Sequence, residues 1–331
     1  MKTFNKKKLE KQLLSFHKKE NKIFQITPLD NCQNYSKEYE KKGTESIKKG
    51  EVAFIILSGG MGSRLGVKYP KGFFKINKKT LFEHIFDKIK KEEEKYKKKL
   101  FVSLMTSTKN NEEIIQFFNK KNFFGLKKDQ IDFFMQEDLP FLDENGQWVF
   151  ENKKILYGPD GNGSFFEVFK KSYLLKKYKN KNIKYLIISF IDNPIFNPFD
   201  NILIGFHRSH QKDLSIISIK REKEKNMGAL IHENGRIKIL EYFNIEDIKK
   251  YKYLNTGIFC INLDFIEKNN FDIPYNHVRK TLKNGKNIYK TEKFIFDILN
   301  YASSSTICYP KDLCFCPLKT VKDKNILKKI L

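Results

Sequence analysis

Leu57-Ser58-Gly59-Gly60-Met61-Gly62-Ser63-Arg64-Leu65-Gly66-Val67-Lys68-Tyr69-Pro70-Lys71-Gly72-Phe73-Phe74 is the stretch on which the reading of this chain turns. The run Val52 to Leu57 just before it is apolar throughout, as a parallel strand covered on both faces would be. Four glycines follow in quick succession, at 59, 60, 62 and 66. Without side chains the backbone there can approach a ligand closely, and its N–H groups can converge on phosphate oxygens. Arg64 and Lys71 bring positive charge to the same loop. Strand, glycines and cations together point to a nucleotide phosphate site. The spacing fits neither the phosphate loop of kinase-type NTPases nor the dinucleotide fingerprint. A bare Gly-Gly-x-Gly also serves as a simple tight turn, so the rest of the chain has to decide.

Outward from this loop, strand-like and helix-like segments alternate from Glu51 on, which predicts an α/β domain. Thr80-x-x-Glu83 is a capping box opening a helix with apolar positions 81, 82, 85, 86 and 89. Leu100 to Met105 and Ile131 to Met135 read as strands, with a helix from an Asn111 cap through Phe118 between them. The loop Gly158-Pro159-Asp160-Gly161-Asn162-Gly163 precedes a helix bearing Phe165, Phe166, Val168 and Phe169. Tyr185 to Ile191 reads as a central strand, Asp200 as the cap of a helix through His207, and Leu214 to Ile219 as a further strand. Asn234-Gly235 sets a hairpin between Ala229–Ile231 and Ile237–Leu240. Ile258 to Ile261 is a strand, and Thr291 is read as capping a helix through Asn300. Residues 1 to 50, rich in Lys and Glu, are expected to form a helical arm, with the main domain over 51–305 and a short segment over 306–331.

The chain has 331 residues and a net charge of +25, enough length for a sizeable core. Of its 64 basic residues only five are Arg, at 64, 208, 221, 236 and 279. Arg is the residue favoured for base-edge and bidentate phosphate contacts. Lys spread along the whole chain, not clustered with aromatics, therefore reads as a solvated surface and predicts no specific nucleic-acid partner. The five cysteines (32, 260, 308, 314, 316) make no disulfide framework and fit a reducing compartment. The charged start lacks the apolar core of a secretory leader, and no apolar run approaches a membrane span, so a cytoplasmic protein is expected.

At full length the glycine stretch closely resembles the signature Leu-x-Gly-Gly-x-Gly-[Thr/Ser]-Arg-Leu-Gly-x-x-x-Pro-Lys-Gly of eukaryotic UDP-N-acetylglucosamine pyrophosphorylases. Later segments resemble the family in the same order, from about Glu51 to Lys319. They are Gln136-x-x-Leu139-Pro140, Pro159-Asp160-Gly161-Asn162-Gly163, Asp192-Asn193, Met227-Gly228, Glu241-Tyr242, Asn255-x-Gly257, Lys290-Thr-Glu-Lys-Phe294 and Phe315-Cys-Pro-Leu-Lys319. The resemblance implies a Rossmann-like, GT-A-like nucleotidyltransferase with a mixed sheet flanked by helices. It implies the reaction of UTP with N-acetylglucosamine 1-phosphate to give UDP-N-acetylglucosamine and pyrophosphate, aided by Mg²⁺ with Mn²⁺ as a substitute. By the same resemblance Arg64, Lys71, Asp192, Lys290 and Lys319 would act on the phosphates, with Asp192 as metal ligand. Leu57, Ser58, Gly59, Gly60, Gln136 and Gly161 would hold the uridine. Asn162, Gly228, Glu241, Tyr242, Asn255 and Phe294 would hold the sugar. Among the positions that depart from the pattern, Ser164 stands for a Gly, Pro194 for an aliphatic residue and Thr256 for an Ala. The family normally continues into a smaller C-terminal domain, whereas this chain ends at Leu331, so a short, monomeric form is expected. Alternatives are a sister enzyme using N-acetylgalactosamine 1-phosphate or glucose 1-phosphate, an inactive UDP-sugar-binding homologue, and a basic nucleic-acid-binding protein.

Overall fold

The computed structural model describes residues 3–17, 26–242, 245–282 and 284–331. Its centre is a mixed sheet whose seven principal strands are β1 (Val52–Leu57), β2 (Phe101–Thr106), β3 (Ile131–Met135), β4 (Tyr185–Phe190), β5 (Leu214–Lys220), β6 (Tyr253–Asn262) and β7 (Ser304–Cys308). Across the sheet they run β7-β5-β6-β4-β1-β2-β3. Every neighbouring pair is parallel except the two made by β6, which is antiparallel to both β4 and β5. β1 lies inside, between β4 and β2, so the ends of Leu57, Met105 and Phe190 emerge along one edge.

The period-2 alternation of these strands divides the core into two apolar layers. Phe54, Ile56, Val102 and Leu104 face one layer, against the helices Leu81–Tyr96, Asn111–Lys120 and Asn201–His210. Ala53, Ile55, Leu57 and Met105 face the other, against the helix Phe165–Lys171 and the short 3₁₀ helix Ile295–Asn300. Both faces are covered, which is why these strands read as unbroken apolar runs. The Thr80–Glu83 capping box is formed, with Thr80 Oγ1 accepting from the Glu83 amide and Glu83 Oε2 accepting from the Thr80 amide. Asp200 caps its helix through a 2.7 Å bond from the Leu203 amide. Among the described residues no helix is long and apolar enough to cross a membrane.

Four expectations need correction. The cap of the 111–120 helix is Asn110, whose side chain instead turns back to the Ser107 amide. β6 begins five residues earlier than its most apolar part, because Tyr253 and Leu254 already pair with Lys220 and Ile219. Thr291 caps no helix: it lies within the strand Asn287–Glu292, paired antiparallel with Asn276–Thr281, and the 3₁₀ helix starts only at Ile295. The first 50 residues are not wholly helical. They contribute helices Lys6–His17 and Glu40–Lys49, but Ile26–Pro28 pairs with the Ala229–Glu233 strand and Gln33–Asn34 with the end of β7. Residues 1–2 and 18–25 of the expected arm lie outside the described residues.

Candidate active site

The glycine loop leaves β1 and is pinned by its neighbours. The Ser58 amide donates to the Met105 carbonyl (2.8 Å), the Asn110 amide group to the Ser58 carbonyl (2.9 Å) and the Ser107 hydroxyl to the Gly59 carbonyl (2.9 Å). The loop closes on itself where the Gly62 amide meets the Tyr69 carbonyl (3.0 Å) and the Lys71 amide meets the Gly60 carbonyl (3.2 Å). Two glycines have clear causes. Gly59 lies under the Gln136 side chain, so closely that a Cβ there would sit 1.8 Å from Nε2. Gly66 has φ +73°, a left-handed value that L side chains rarely adopt.

A cavity of about 240 Å³ opens beside this loop, at the carboxyl ends of β1, β2 and β4. That is where open α/β sheets hold ligands. Its walls bring together nine of the residues singled out in the sequence: Leu57, Gly59, Gly60, Lys71, Gln136, Gly161, Asn162, Asp192 and Lys290. Lys71 Nζ is 2.8 Å from Asp192 Oδ2, joining the glycine loop to the end of β4 across 121 positions of sequence. Gly161 adopts φ +96°, and a Cβ there would lie 2.4 Å from the Lys293 carbonyl oxygen, so the 159–163 loop is pressed onto the strand that carries Lys290. The contact is held by Lys293 N to Asp160 O (2.8 Å) and Gly163 N to Lys293 O (2.9 Å). Asn162 spends its Oδ1 on the Ile295 amide (2.8 Å), which sets Phe294 beside it. Lys290 pairs with Glu292.

The remaining expected residues fall outside this wall. The Ser58 hydroxyl is buried and bonded to the Met105 carbonyl, a structural role. Arg64 is exposed in the turn Ser63–Leu65 and Lys319 is exposed beyond Leu318. Gly228, Glu241 and Asn255 gather in a second cluster: the Asn255 amide donates to the Gly228 carbonyl (2.9 Å), and a Cβ on Gly228 would lie 3.8 Å from Glu241 Oε1. Burial pushes the Glu241 carboxyl up, and nearby Lys319 draws it back down. Phe190 joins the two clusters, lining the cavity while packing on Gly257. Tyr242 is exposed, and Phe294 stacks on Phe296 with ring centroids 5.5 Å apart.

Several residues have roles that the sequence reading did not assign. Asn193 clasps the C-terminal segment: its Nδ2 donates to the Cys314 carbonyl (2.7 Å) and its Oδ1 accepts from the Cys316 amide (3.0 Å). The Leu318 amide then donates to the Asp192 carbonyl (2.7 Å), which brings Lys319 toward the strand end. Lys88 gathers the carbonyls of Pro194, Ile195 and Phe196, fixing the turn that follows. Glu292 adds a second carboxylate to the cavity wall. Asp297 is missed as well; burial pushes its carboxyl up to about 6, with Asn276 bonded to it and Glu241 adding like charge. Only the Asp-Asn pair carried a signal in the sequence; the others have side chains as ordinary as any surface Lys or Glu.

Mg²⁺ usually takes one or two carboxylates together with substrate phosphate oxygens. Asp192, one-fifth exposed at the mouth of the cavity, fits that need, and Glu292 stands in the same wall. Among the described residues no group of three or more His, Cys, Asp and Glu stands together as a ready-made metal cage.

The family model described as UTP–glucose-1-phosphate uridylyltransferase matches residues 1–330. The chain belongs to this family. Among members of the uridylyltransferase family, it is 31% identical over 363 residues to the "Probable UDP-N-acetylglucosamine pyrophosphorylase" of Dictyostelium discoideum, covering 94% of this chain and 74% of that one. It is 29% identical to the UDP-N-acetylglucosamine pyrophosphorylase of Saccharomyces cerevisiae, covering 85% of this chain and 67% of the yeast protein. The crystal structure of the UDP-N-acetylglucosamine pyrophosphorylase of Trypanosoma brucei, in complex with an inhibitor, superposes with a TM-score of 0.81 at 26% identity, over 91% of this chain and 72% of that one. The UDP-glucose phosphorylase of the same organism shares the fold, with a TM-score of 0.82 at 21% identity. The mixed α/β uridylyltransferase fold anticipated from the glycine stretch is the one found.

Proposed function

We propose that this uridylyltransferase joins UTP and N-acetylglucosamine 1-phosphate to give UDP-N-acetylglucosamine and pyrophosphate. The observation that carries the reading is the meeting of Lys71, Asp192 and Lys290 in one cavity that Gly59, Gly60 and Gln136 also line. A flat ring fits against a shelf of backbone and amide, and Gln136 has the donor and acceptor to read its edge. The names of the Dictyostelium and yeast relatives favour the N-acetylated sugar over glucose.

In this reading a phosphate oxygen of the sugar phosphate attacks the α-phosphorus of UTP. The bond from that phosphorus to the bridging oxygen breaks, and its electron pair leaves with pyrophosphate. Phosphoryl transfer of this kind rests on positioning and charge neutralisation. Lys71 holds the leaving phosphates and, 2.8 Å from its Oδ2, orients Asp192. Lys290 and Lys319 meet the charge that builds in the transition state, and Arg64 joins Lys71 in neutralising the leaving phosphates. Bound Mg²⁺, with Mn²⁺ as substitute, would supply further neutralisation of the phosphates, held by Asp192. Leu57 and Gly161 pack the uridine, while Asn162, Gly228, Glu241, Asn255, Tyr242 and Phe294 form the sugar side. Free thiols at all five cysteines suit a cytoplasmic setting.

The test is pyrophosphate release by the purified chain with UTP and Mg²⁺, comparing N-acetylglucosamine 1-phosphate, N-acetylgalactosamine 1-phosphate and glucose 1-phosphate. Preference for the N-acetylated sugars is expected. Preference for glucose 1-phosphate would move the chain to the sister activity. Silence with all three, in folded protein, would make it a UDP-sugar-binding homologue.

A further inference from the structure

The loop 159–163 shows the cavity only half of itself. Pro159, Gly161 and Asn162 line the site, but the Asp160 side chain turns away from it and is fully buried. Its partner comes from the far end of the sequence. Lys8, on the helix Lys6–His17, is 6% exposed, and its Nζ lies 2.8 Å from Asp160 Oδ2 and 3.2 Å from both Glu137 and Glu167. Lys293 adds a second ammonium, 3.3 Å from Glu167. One turn along the same helix, buried Gln12 donates to the Pro140 carbonyl and to the Thr291 hydroxyl, both at 2.8 Å. A turn further on, the Ser15 hydroxyl meets His277, whose other nitrogen meets Thr291. The helix thus touches both walls of the cavity from behind: the 137–160 loops on one side and the hairpin that carries Lys290 on the other.

A buried carboxylate needs its counter-charge, and removing one member of such a pair leaves the other uncompensated. Burial by itself would push the Lys8 ammonium down, but the Asp160 carboxylate beside it holds it well above its ordinary value, so Lys8 is charged at any physiological pH. Burial pushes the Asp160 carboxyl the other way, up, against the pull of Lys8. Glu137 and Asp160 are also tied through the backbone, Asp160 N to Glu137 O at 2.8 Å. A change at Lys8 therefore reaches the 136–140 and 159–163 segments together, and with them Gln136, Gly161 and Asn162.

We propose that Lys8 is a positioning residue of the substrate site: anchored on the N-terminal helix, it fixes Asp160 and so sets the loop that presents Gly161 and Asn162 to the nucleotide and sugar. This rests on the uridylyltransferase reading for its kinetic consequence, but not for its structural one.

The test uses the full chain with Lys8→Met, Lys8→Arg, Asp160→Asn, the double variant Lys8→Met/Asp160→Asn, and Lys11→Ala, whose exposed pair with Asp272 on the same helix serves as control. Lys8→Met should raise KM for UTP and for the sugar phosphate tenfold or more, with the circular-dichroism spectrum kept. The double variant should recover most of that loss, because a neutral amide at 160 no longer needs an ammonium; Lys8→Arg should recover part; Lys11→Ala should match the parent. Amide exchange of residues 159–164 reads the loop without any substrate, and should quicken tenfold or more in Lys8→Met and slow again in the double variant. Unchanged exchange in Lys8→Met, or quickened exchange with no recovery in the double variant, overturns the proposal. If the parent chain releases no pyrophosphate, the catalytic reading fails on its own, and the exchange measurement still decides the role of Lys8.

Discussion

At the scale of single residues, the site turns on pairs in which one member fixes the other. Lys71 and Asp192 are the plainest, 2.8 Å apart with both side chains partly exposed. If Lys71 neutralises the leaving phosphates, Lys71→Ala should lower kcat by about two to three orders of magnitude, the span seen when one preorganised charge-stabilising group is lost. Steady-state pyrophosphate release checks it, and near-parent turnover would remove Lys71 from the mechanism. Two glycines of the cavity wall separate packing from conformation. Gly59→Ala meets the end of the Gln136 side chain and no backbone, so the fold should survive while KM for UTP rises as the amide is displaced. Gly161→Ala meets the Lys293 backbone from a left-handed conformation, so it should lower stability, by about 1–3 kcal/mol for the backbone strain alone, as well as activity. Urea unfolding beside kinetics distinguishes them; equal stability loss in both would show that the Gln136 contact is as rigid as the backbone one.

At the scale of elements, the parallel strands were legible because both their faces are buried, which leaves an unbroken apolar run such as Val52-Ala-Phe-Ile-Ile-Leu57. The hairpin 276–281/287–292 was not. Its residues are largely polar, it stands off the main sheet, and Thr291-Glu292 looks like the start of a helix until its partner strand is known. The cavity residues followed the same rule. Those on the glycine loop and at strand ends could be named from the chain alone, but the side chains that hold them, Asn110, Asn193 and Lys8, depend on contacts that only the assembled fold creates. His207 is a further case, a buried ring between the Ser215 hydroxyl (2.8 Å) and the Asn262 side chain (2.9 Å). Burial pushes it down to about 4 from an ordinary 6.5. Between those pH values the unfolded chain binds the proton and the folded chain does not. Stability is therefore full above pH 6.5 and falls as pH drops toward 4, by about 3 kcal/mol in the limit. Asp297 opposes this. Its carboxyl, pushed up to about 6, keeps its proton in the fold at pH values where the unfolded chain has lost it, so acidification there stabilises. Melting curves of the parent and of His207→Gln from pH 7.5 to 5 isolate the ring: the parent should lose more on acidification, and parallel curves would rule the ring out.

At the scale of the whole molecule, the net charge of +25 is a long-range field more than a set of contacts. Both proposed substrates are anionic, and a cationic surface raises the encounter rate of anions in a way that salt screens within about 10 Å at 0.1 M. We expect kcat/KM for UTP at saturating Mg²⁺ to fall severalfold between 0.05 and 0.5 M potassium chloride, with kcat nearly constant. A kcat/KM insensitive to salt would mean that only the local cations of the cavity matter. The same field also explains why charge was a poor guide to the site. With Lys everywhere, Lys8, Lys88 and Lys319 differ from their neighbours only in what they touch.

The clasp made by Asn193 has a consequence in time. It joins the end of β4 to residues 314–316, and the next backbone bond ties Leu318 to Asp192. The clasp joins residues 121 positions apart and cannot form until the C-terminal segment has been made. On a ribosome, the glycine loop, the Gln136 shelf and Asp192 all emerge long before Lys319 does. A half-made chain therefore lacks the segment that Asn193 holds, and Lys319 with it.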